Sequence, residues 1–309
     1  MISDPPSARG EGAARWRAYA MLSVTMLFWA GNTIVARALH ADIPPFMLAL
    51  VRWVGAATVI APFAIRHVVA ERTVIRRAWR PILLLGLTGV AAFNGFLYLG
   101  LGYTSASNSL LLQALIPAMV MLVGAVAFRD RVTRVQAAAV SLSAVGVAFI
   151  VFRGDVRAIA SLQFGYGDML VLCGCAAWAV YTACLRMRPP IHMTSFLLVT
   201  FLIGALAMAP LAVHEADAVA RIEWTPEVLG AFAYVAIFPS VIAYFLYNAA
   251  VAAIGPGAAG QTISLLPLFG AALAMQLLDE PLHGYHVVGM TIILAGILAG
   301  WSSAGGRPS

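Results

Sequence analysis

Of 309 residues, 62% are hydrophobic and only 10% charged, with a mean hydropathy of +0.90, which leaves too little polar surface to cover a soluble globule and places the chain in a lipid bilayer. The net charge of +6 comes from arginine alone, since the chain has no lysine. The arginines sit mainly in short loops between apolar runs, so a topological use is expected and no nucleic-acid partner. Cys173, Cys175 and Cys184 fall in one apolar segment with no second cluster to complete a zinc site or disulfide framework; they read as packing residues, and no metal or cofactor is expected.

In chain order, residues 1–17 form a polar tail, expected to be disordered at its start. A spanning helix needs about 20 mainly apolar residues, and ten stretches come close: 18–35, 44–65, 81–103, 105–128 and 135–152, then 169–185, 192–213, 228–251, 257–278 and 286–301. None alternates with the period of a membrane barrel, so the expected fold class is an all-α membrane protein of ten transmembrane helices. Arg15 and Arg17 ahead of an apolar run ending in Ala36-Arg37-Ala38 resemble a cleavable signal. That reading is set aside because cleavage would delete half of a repeat.

The repeat is anchored by the run 105–128, which returns in altered form at 257–278 and places Pro117 on Pro267. The same offset of 150 puts Asp130 on Glu280, Val132 on Leu282 and Gly146 on Gly296. At an offset of 149, Trp29, Arg37 and Gly55 fall on Trp178, Arg186 and Gly204. Apolar sequence alone would match equally well at neighbouring offsets, so duplication is indicated. The expected domains are a tail at 1–17, a first five-helix repeat at 18–152, a linker at 153–168, a second repeat at 169–301 and a tail at 302–309.

With the N-terminus inside, 14 of the 19 basic residues fall in inner segments, as the bias of cytoplasmic loops toward basic residues requires. Both termini are therefore expected inside. An odd number of helices per half inverts the second half relative to the first, an arrangement typical of secondary transporters with a central site at the repeat interface.

Gly255-Pro256-Gly257-Ala258-Ala259-Gly260 satisfies G-x-G-x-x-G, but the run before it is too long for a Rossmann strand and the run after it spans the bilayer. A tight turn is the better reading. Polar groups in spanning segments need a reason. Arg52 lies near mid-depth and is either a partner for a substrate carboxylate or a structural arginine, the second being favoured. Asn32, Asn94, Gln113, Asn248 and Gln261, with Ser107, Thr262, Ser264, Tyr98, Tyr181, Tyr244 and Tyr247, are each most simply interhelical glue. Together they offer donors, acceptors and aromatic faces that suit a polar, partly aromatic solute. Trp29 and Trp178 fall mid-helix, away from the interfacial belts where tryptophan is usual, which fits either a cavity wall or tight packing. Pro117 and Pro267 fall near the middle of the fourth and ninth stretches, where a proline bends a helix; each is a hinge or a fixed bend. Gly146 and Gly296 read as close-packing positions.

Leu27-Phe28-Trp29-Ala30-Gly31-Asn32 with Arg37, Arg52-Trp53, the two prolines, and the acidic residue ahead of a small one in Asp130 to Gly146 and Glu280 to Gly296 resemble the drug/metabolite transporter superfamily, specifically its ten-helix EamA-type exporters. The likeness covers nearly the whole chain. Ala30 stands where the family often has glycine, and Arg131 follows Asp130 where an acidic pair is usual. The resemblance implies transport, and within the family the chain is most similar to bacterial aromatic amino-acid exporters of the inner membrane.

The reading is thus a multi-pass inner-membrane exporter of amino acids, aromatic ones included, working by alternating access, with no enzymatic activity. Its expected cavity residues are Trp29, Asn32, Asn94, Tyr98, Ser107, Gln113, Trp178, Tyr181, Tyr244, Asn248, Gln261 and Ser264. The rival readings are an exporter of other metabolites, nucleobases or drugs, and a membrane enzyme or scaffold that transports nothing. No Asp or Glu lies deep in a predicted helix, so facilitated movement down the substrate gradient is expected. Alignment of the repeats pairs Gln113 with Ile263 and Ala114 with Ser264, so the scaffold is symmetrical and its lining is not.

Overall fold

A computed structural model describes residues 8–104, 106–152, 154–155, 165–277 and 284–304, and every element within them is helical. The first repeat region holds α1 (Ala8–Ala38), α2 (Pro45–Arg77), α3 (Trp79–Leu101), α4 (Ala106–Gln113), α5 (Ile116–Phe128) and α6 (Arg134–Val151). The second holds α7 (Tyr166–Cys184), α8 (Met193–His214), α9 (Pro226–Ile254), α10 (Pro256–Gln261), α11 (Leu266–Leu277) and α12 (Gly284–Ala304). Among the described residues, 6 helices are long and apolar enough to cross a membrane, and Ile116–Phe128 and Val287–Ala299 are shorter apolar helices.

Four expectations are corrected. Helix begins at Ala8 rather than at 18, because Ala, Arg and Glu in the polar run are strong helix formers. The second helix ends at Arg77 rather than at 65; its polar extension also lacks a helix breaker. The fourth stretch is two helices, with Pro117 in the first turn of the second and the break just before it. Pro267 likewise sits in the first turn of α11, behind a 3₁₀ turn at Thr262–Leu265. A proline has no N–H to give and its ring clashes with the carbonyl four residues back, so it is best tolerated where a helix starts. Both prolines therefore begin a half-helix instead of bending a continuous one. Gly255, at φ 82°, opens α10, the turn expected in place of a dinucleotide site. Asp279, Glu280 and Leu282 lie outside the described residues.

Packing repeats across the halves. α1 lies on α9 as α7 lies on α3, α2 lies against α8, and α6 pairs with α12. Gly146 and Gly296 make this last pair close: a Cβ on Gly146 would meet the Gly289 carbonyl and the Ile293 N–H at 2.8 Å, and one on Gly296 would meet the Ala139 carbonyl and the Ser143 N–H at 2.8 Å. With no hydrophobic force between helices in lipid, such backbone approach carries the association. Gly296→Leu is expected to cost about 1–3 kcal/mol by overpacking, read as a lower melting temperature of the detergent-purified chain. Gly230→Ala, in α9 with nothing within 4 Å of the added Cβ, is the control and should be neutral or slightly stabilising.

Candidate functional site

The site is prepared by two irregularities that no sequence period announces. α3 contains a π-helical segment at Gly86–Ala92 and α9 another at Ile237–Ile242, nearly equivalent positions of the two repeats. In α9 the cause is Pro239, which deprives the Val235 carbonyl of its donor; the Ser240 hydroxyl donates to that carbonyl instead, at 2.6 Å. Widened turns of this kind recur at functional sites because they release backbone acceptors. Here the Pro239 carbonyl accepts from the Trp29 indole N–H at 2.9 Å and from Arg52 Nη2 at 3.0 Å. In α3 the Gly89 carbonyl accepts the Tyr244 hydroxyl, and the Tyr181 ring lies so close to Gly89 that no Cβ would fit.

Arg52 is 1% exposed. Its Nε donates to Ser240 Oγ at 2.6 Å, and its Nη1 lies 2.7 Å from both Asn94 Oδ1 and Tyr98 Oη and 3.3 Å from Asn32 Oδ1. The guanidinium also stands 4.5 Å over the Trp53 ring. All these partners are neutral. Oxygen lone pairs, a backbone carbonyl and a π face replace water around the charge, which makes burial tolerable without an ion pair. Arg52 joins α1, α2, α3 and α9.

Around it the repeats carry the same contact with the chemistry exchanged. In the first half the Tyr98 hydroxyl donates to Asn32 Oδ1 at 2.7 Å. In the second, at the equivalent positions, Tyr181 donates to Asn248 Oδ1 at 3.0 Å. Thr182 and Tyr247 form a further hydroxyl pair at 2.9 Å. These bonds fasten α1 to α3 and α7 to α9.

The equivalent tryptophans Trp29 and Trp178 meet edge to face, ring centroids 4.8 Å apart at 85°, so the relating axis passes between them. A cavity lies beside this pair, lined by Trp29, Asn32, Thr33, Arg52, Phe93, Asn94, Leu97, Gln113 and Ile116 from one half and by Trp178, Tyr244, Ile263 and Leu266 from the other. Several face each other as repeat equivalents: Trp29 with Trp178, Asn94 with Tyr244, Gln113 with Ile263, and Ile116 with Leu266. The first half supplies all the amides and the guanidinium, and both halves supply apolar and aromatic surface. The free volume is about 10 Å³, room for roughly one water, so the helices are packed tightly around it.

Trp29, Asn32, Asn94, Gln113, Trp178 and Tyr244, with Arg52, are thus brought together as cavity lining. Tyr98 and Asn248 stand one hydrogen bond behind it, on Asn32 and the Tyr244 carbonyl, and Tyr181 stands behind Asn248. Ser264 is buried in the 3₁₀ turn beside Ile263 without lining the cavity. Gln261 is elsewhere: its amide donates to the Gly296 carbonyl at 2.9 Å, joining α10 to α12. The Ser107 side chain lies outside the described residues. Sequence reasoning missed Ser240 and Pro239, whose role needs the π segment, and Thr33, Phe93, Leu97, Ile116, Ile263 and Leu266; the last three follow from extending the repeat alignment around Gln113.

Open depressions lie toward both ends of the helices. Toward the α1–α2 connection are spaces of about 420 and 710 Å³ that share His40, Pro45 and Glu215, the smaller reaching Tyr98. Glu215 accepts from the Phe46 N–H at 3.3 Å and the Met47 N–H at 2.9 Å, capping α2 from the other half. Burial pushes its carboxyl above the usual range despite these donors. Toward the other end is a space of about 350 Å³, where Arg186 holds Asp130 through two bonds of 3.0 and 2.6 Å and lies over the Phe128 ring. That ion pair ties the end of α5 to the end of α7. Among the described residues, no group of three or more His, Cys, Asp or Glu is placed to hold a metal.

Comparison with known proteins matches residues 16–152 and again 165–299 to the EamA-like transporter family. An uncharacterized transporter of Archaeoglobus fulgidus is 28% identical over 285 residues, covering 91% of this chain and 96% of that protein. A probable amino-acid metabolite efflux pump of Salmonella typhimurium is 25% identical over 292 residues, covering 89% of this chain and 91% of that one. A solved crystal structure at 17% identity shares the fold with a TM-score of 0.71, covering 94% of this chain and 98% of its own.

Proposed function

Because this chain belongs to the EamA-like transporter family, a family of membrane transporters built from two repeats, we propose that it exports amino acids, aromatic ones included, across a bacterial inner membrane by alternating access through the cavity beside Trp29 and Trp178. The observation that carries the reading is the mixed lining of that cavity: amides and a guanidinium, all from the first half, set among indole, phenyl, phenol and aliphatic surface from both. An amino acid has the same mixture, a zwitterionic end and a side chain. A site of this kind orients its solute by polar groups while apolar walls contribute the area. The name of the Salmonella typhimurium relative supports the same class.

The cycle we infer has both termini inside and ten spans in inverted repeats, with the domain limits given by the repeat alignment. The halves rock about the Trp29–Trp178 contact, and the half-helices begun by Pro117 and Pro267 shift at their breaks. The Asp130–Arg186 pair closes one end. Among the described residues, no carboxylate lines the cavity, and the cycle we infer moves its solute down the substrate gradient. Export by proteoliposomes of labelled tryptophan, threonine and methionine tests the proposal; protein-dependent flux of none of them ends it, and flux tied in fixed ratio to an imposed proton gradient ends the uncoupled mechanism. A competition panel of amino acids, nucleobases and drugs separates the rival cargoes.

Gln113 lines the cavity and spends its amide on Ser109, at 3.3 Å to both the carbonyl and the hydroxyl. Gln113→Ala is expected to alter the order of preference among substrates several-fold, in line with about 1 kcal/mol per lost hydrogen bond, with little effect on melting temperature. Ser264→Ala, one residue behind the wall, should alter it less. Identical substrate profiles for wild type and both variants would return these residues to helix packing.

A further inference from the structure

The extension of α2 beyond its apolar run is not used by the transport reading. The helix has 33 residues, about 50 Å at 1.5 Å per residue, against a hydrocarbon core of about 30 Å. Its last dozen residues, about 18 Å of helix, therefore reach through the headgroup level and past it. Arg66, Arg72, Arg76 and Arg77 in this part are all exposed. At about 100° per residue they fall within an arc of roughly 140°. The same arc farther up the helix carries exposed Val54, Val59 and Ile65, and Val69, 58% exposed, falls inside the basic part. One continuous outer stripe thus passes from apolar to basic.

The acidic residue of the extension does not neutralise it. Glu71 faces away, where its carboxylate accepts the His192 N–H at 2.8 Å. Among the described residues, no carboxylate forms an ion pair with the stripe. Next in sequence, Trp79 is 54% exposed with the Arg80 guanidinium 5.5 Å from its ring centroid, an interfacial pairing of aromatic and cation.

We propose that this stripe is a binding site for an anionic glycerophospholipid, its acyl chains along Val59, Ile65 and Val69 and its phosphate among Arg72, Arg76 and Arg77. The continuity of the apolar and basic parts selects a lipid over free phosphate or an acidic protein, because only a lipid carries an anion at the end of an apolar chain. Arginine suits the anion because its planar fork binds phosphate oxygens in pairs.

The test is lipid retention by the detergent-purified full chain, read by native mass spectrometry with phosphatidylglycerol and phosphatidylcholine as competing probes and inorganic phosphate as a third arm. Phosphatidylglycerol should be retained preferentially. The preference should fall roughly fivefold for each of Arg72→Gln, Arg76→Gln and Arg77→Gln, and survive largely in the Arg76→Lys variant. Equal retention of the two lipids, an unchanged preference in the triple variant, or displacement by millimolar phosphate would each overturn the proposal. Should the triple variant fail to fold, salt titration of the wild type decides, since a preference unaffected between low and high salt also overturns it. Lipid retention is read without any transport, so its failure and that of the export reading are separable.

Discussion

Replacing Arg52 by leucine should be among the most damaging single changes in the chain, lowering stability by about 3 kcal/mol. The guanidinium makes five bonds to neutral oxygens from α1, α3 and α9, each charge-assisted and worth roughly 1.5–3 kcal/mol. The sum is not the effect, because leucine also removes the cost of keeping a cation out of water. What remains is a buried Asn94 oxygen without its short partner and four elements without their common tie. Lysine restores the charge but has three donors on a single nitrogen, so Arg52→Lys should fall between leucine and wild type. Thermal unfolding in detergent, followed by size-exclusion recovery, gives the readout. A leucine variant that melts with the wild type while losing transport would assign Arg52 to the substrate carboxylate instead.

The second large effect is expected at Trp178. The residue is 1% exposed and its ring packs on Trp29, Phe93, Tyr181, Tyr244 and Tyr247 at centroid distances of 4.8–5.6 Å. Trp178→Ala removes the wall of the cavity and one side of the contact on the pseudo-axis, at a cost of about 3–5 kcal/mol for the void. Trp178→Phe is the informative companion: it keeps most of the apolar volume, so it should fold, while enlarging the space on the side we assign to the solute's side chain. Relative export of tryptophan over threonine should therefore rise in the phenylalanine variant. A proportional fall for all substrates would make Trp178 a packing residue only. Trp29→Phe should behave differently from its equivalent, because it also strips the Pro239 carbonyl of an indole donor.

The different yields of the two tryptophans show why the site was only partly legible. Both were found by the same offset, and both line the cavity. Their hydrogen-bonding roles diverge because the Pro239 carbonyl accepts the Trp29 indole, whereas its counterpart, the Gly89 carbonyl, accepts the Tyr244 hydroxyl. Arg52 was legible as costly and as better explained structurally than as a ligand. Its partners were not, since Ser240 lies 188 positions away and reaches it only through the π segment of α9. Gln261 was grouped with the cavity amides because all neutral amides in apolar runs look alike in sequence; its bond to the Gly296 carbonyl depends on how α10 meets α12.

Composition and run length determined that the chain is helical and membrane-embedded, because lipid offers the backbone no partner except itself. The two offsets determined the repeat and with it the family, since equivalent residues survive duplication in register. Tertiary structure alone decided which side chains meet, where the prolines break their helices, how far α2 runs beyond its apolar stretch, and that the amides and the guanidinium of the cavity all come from one half. Those outcomes depend on rotation and approach of packed helices, which differ by a few ångströms between readings that share one hydrophobic pattern.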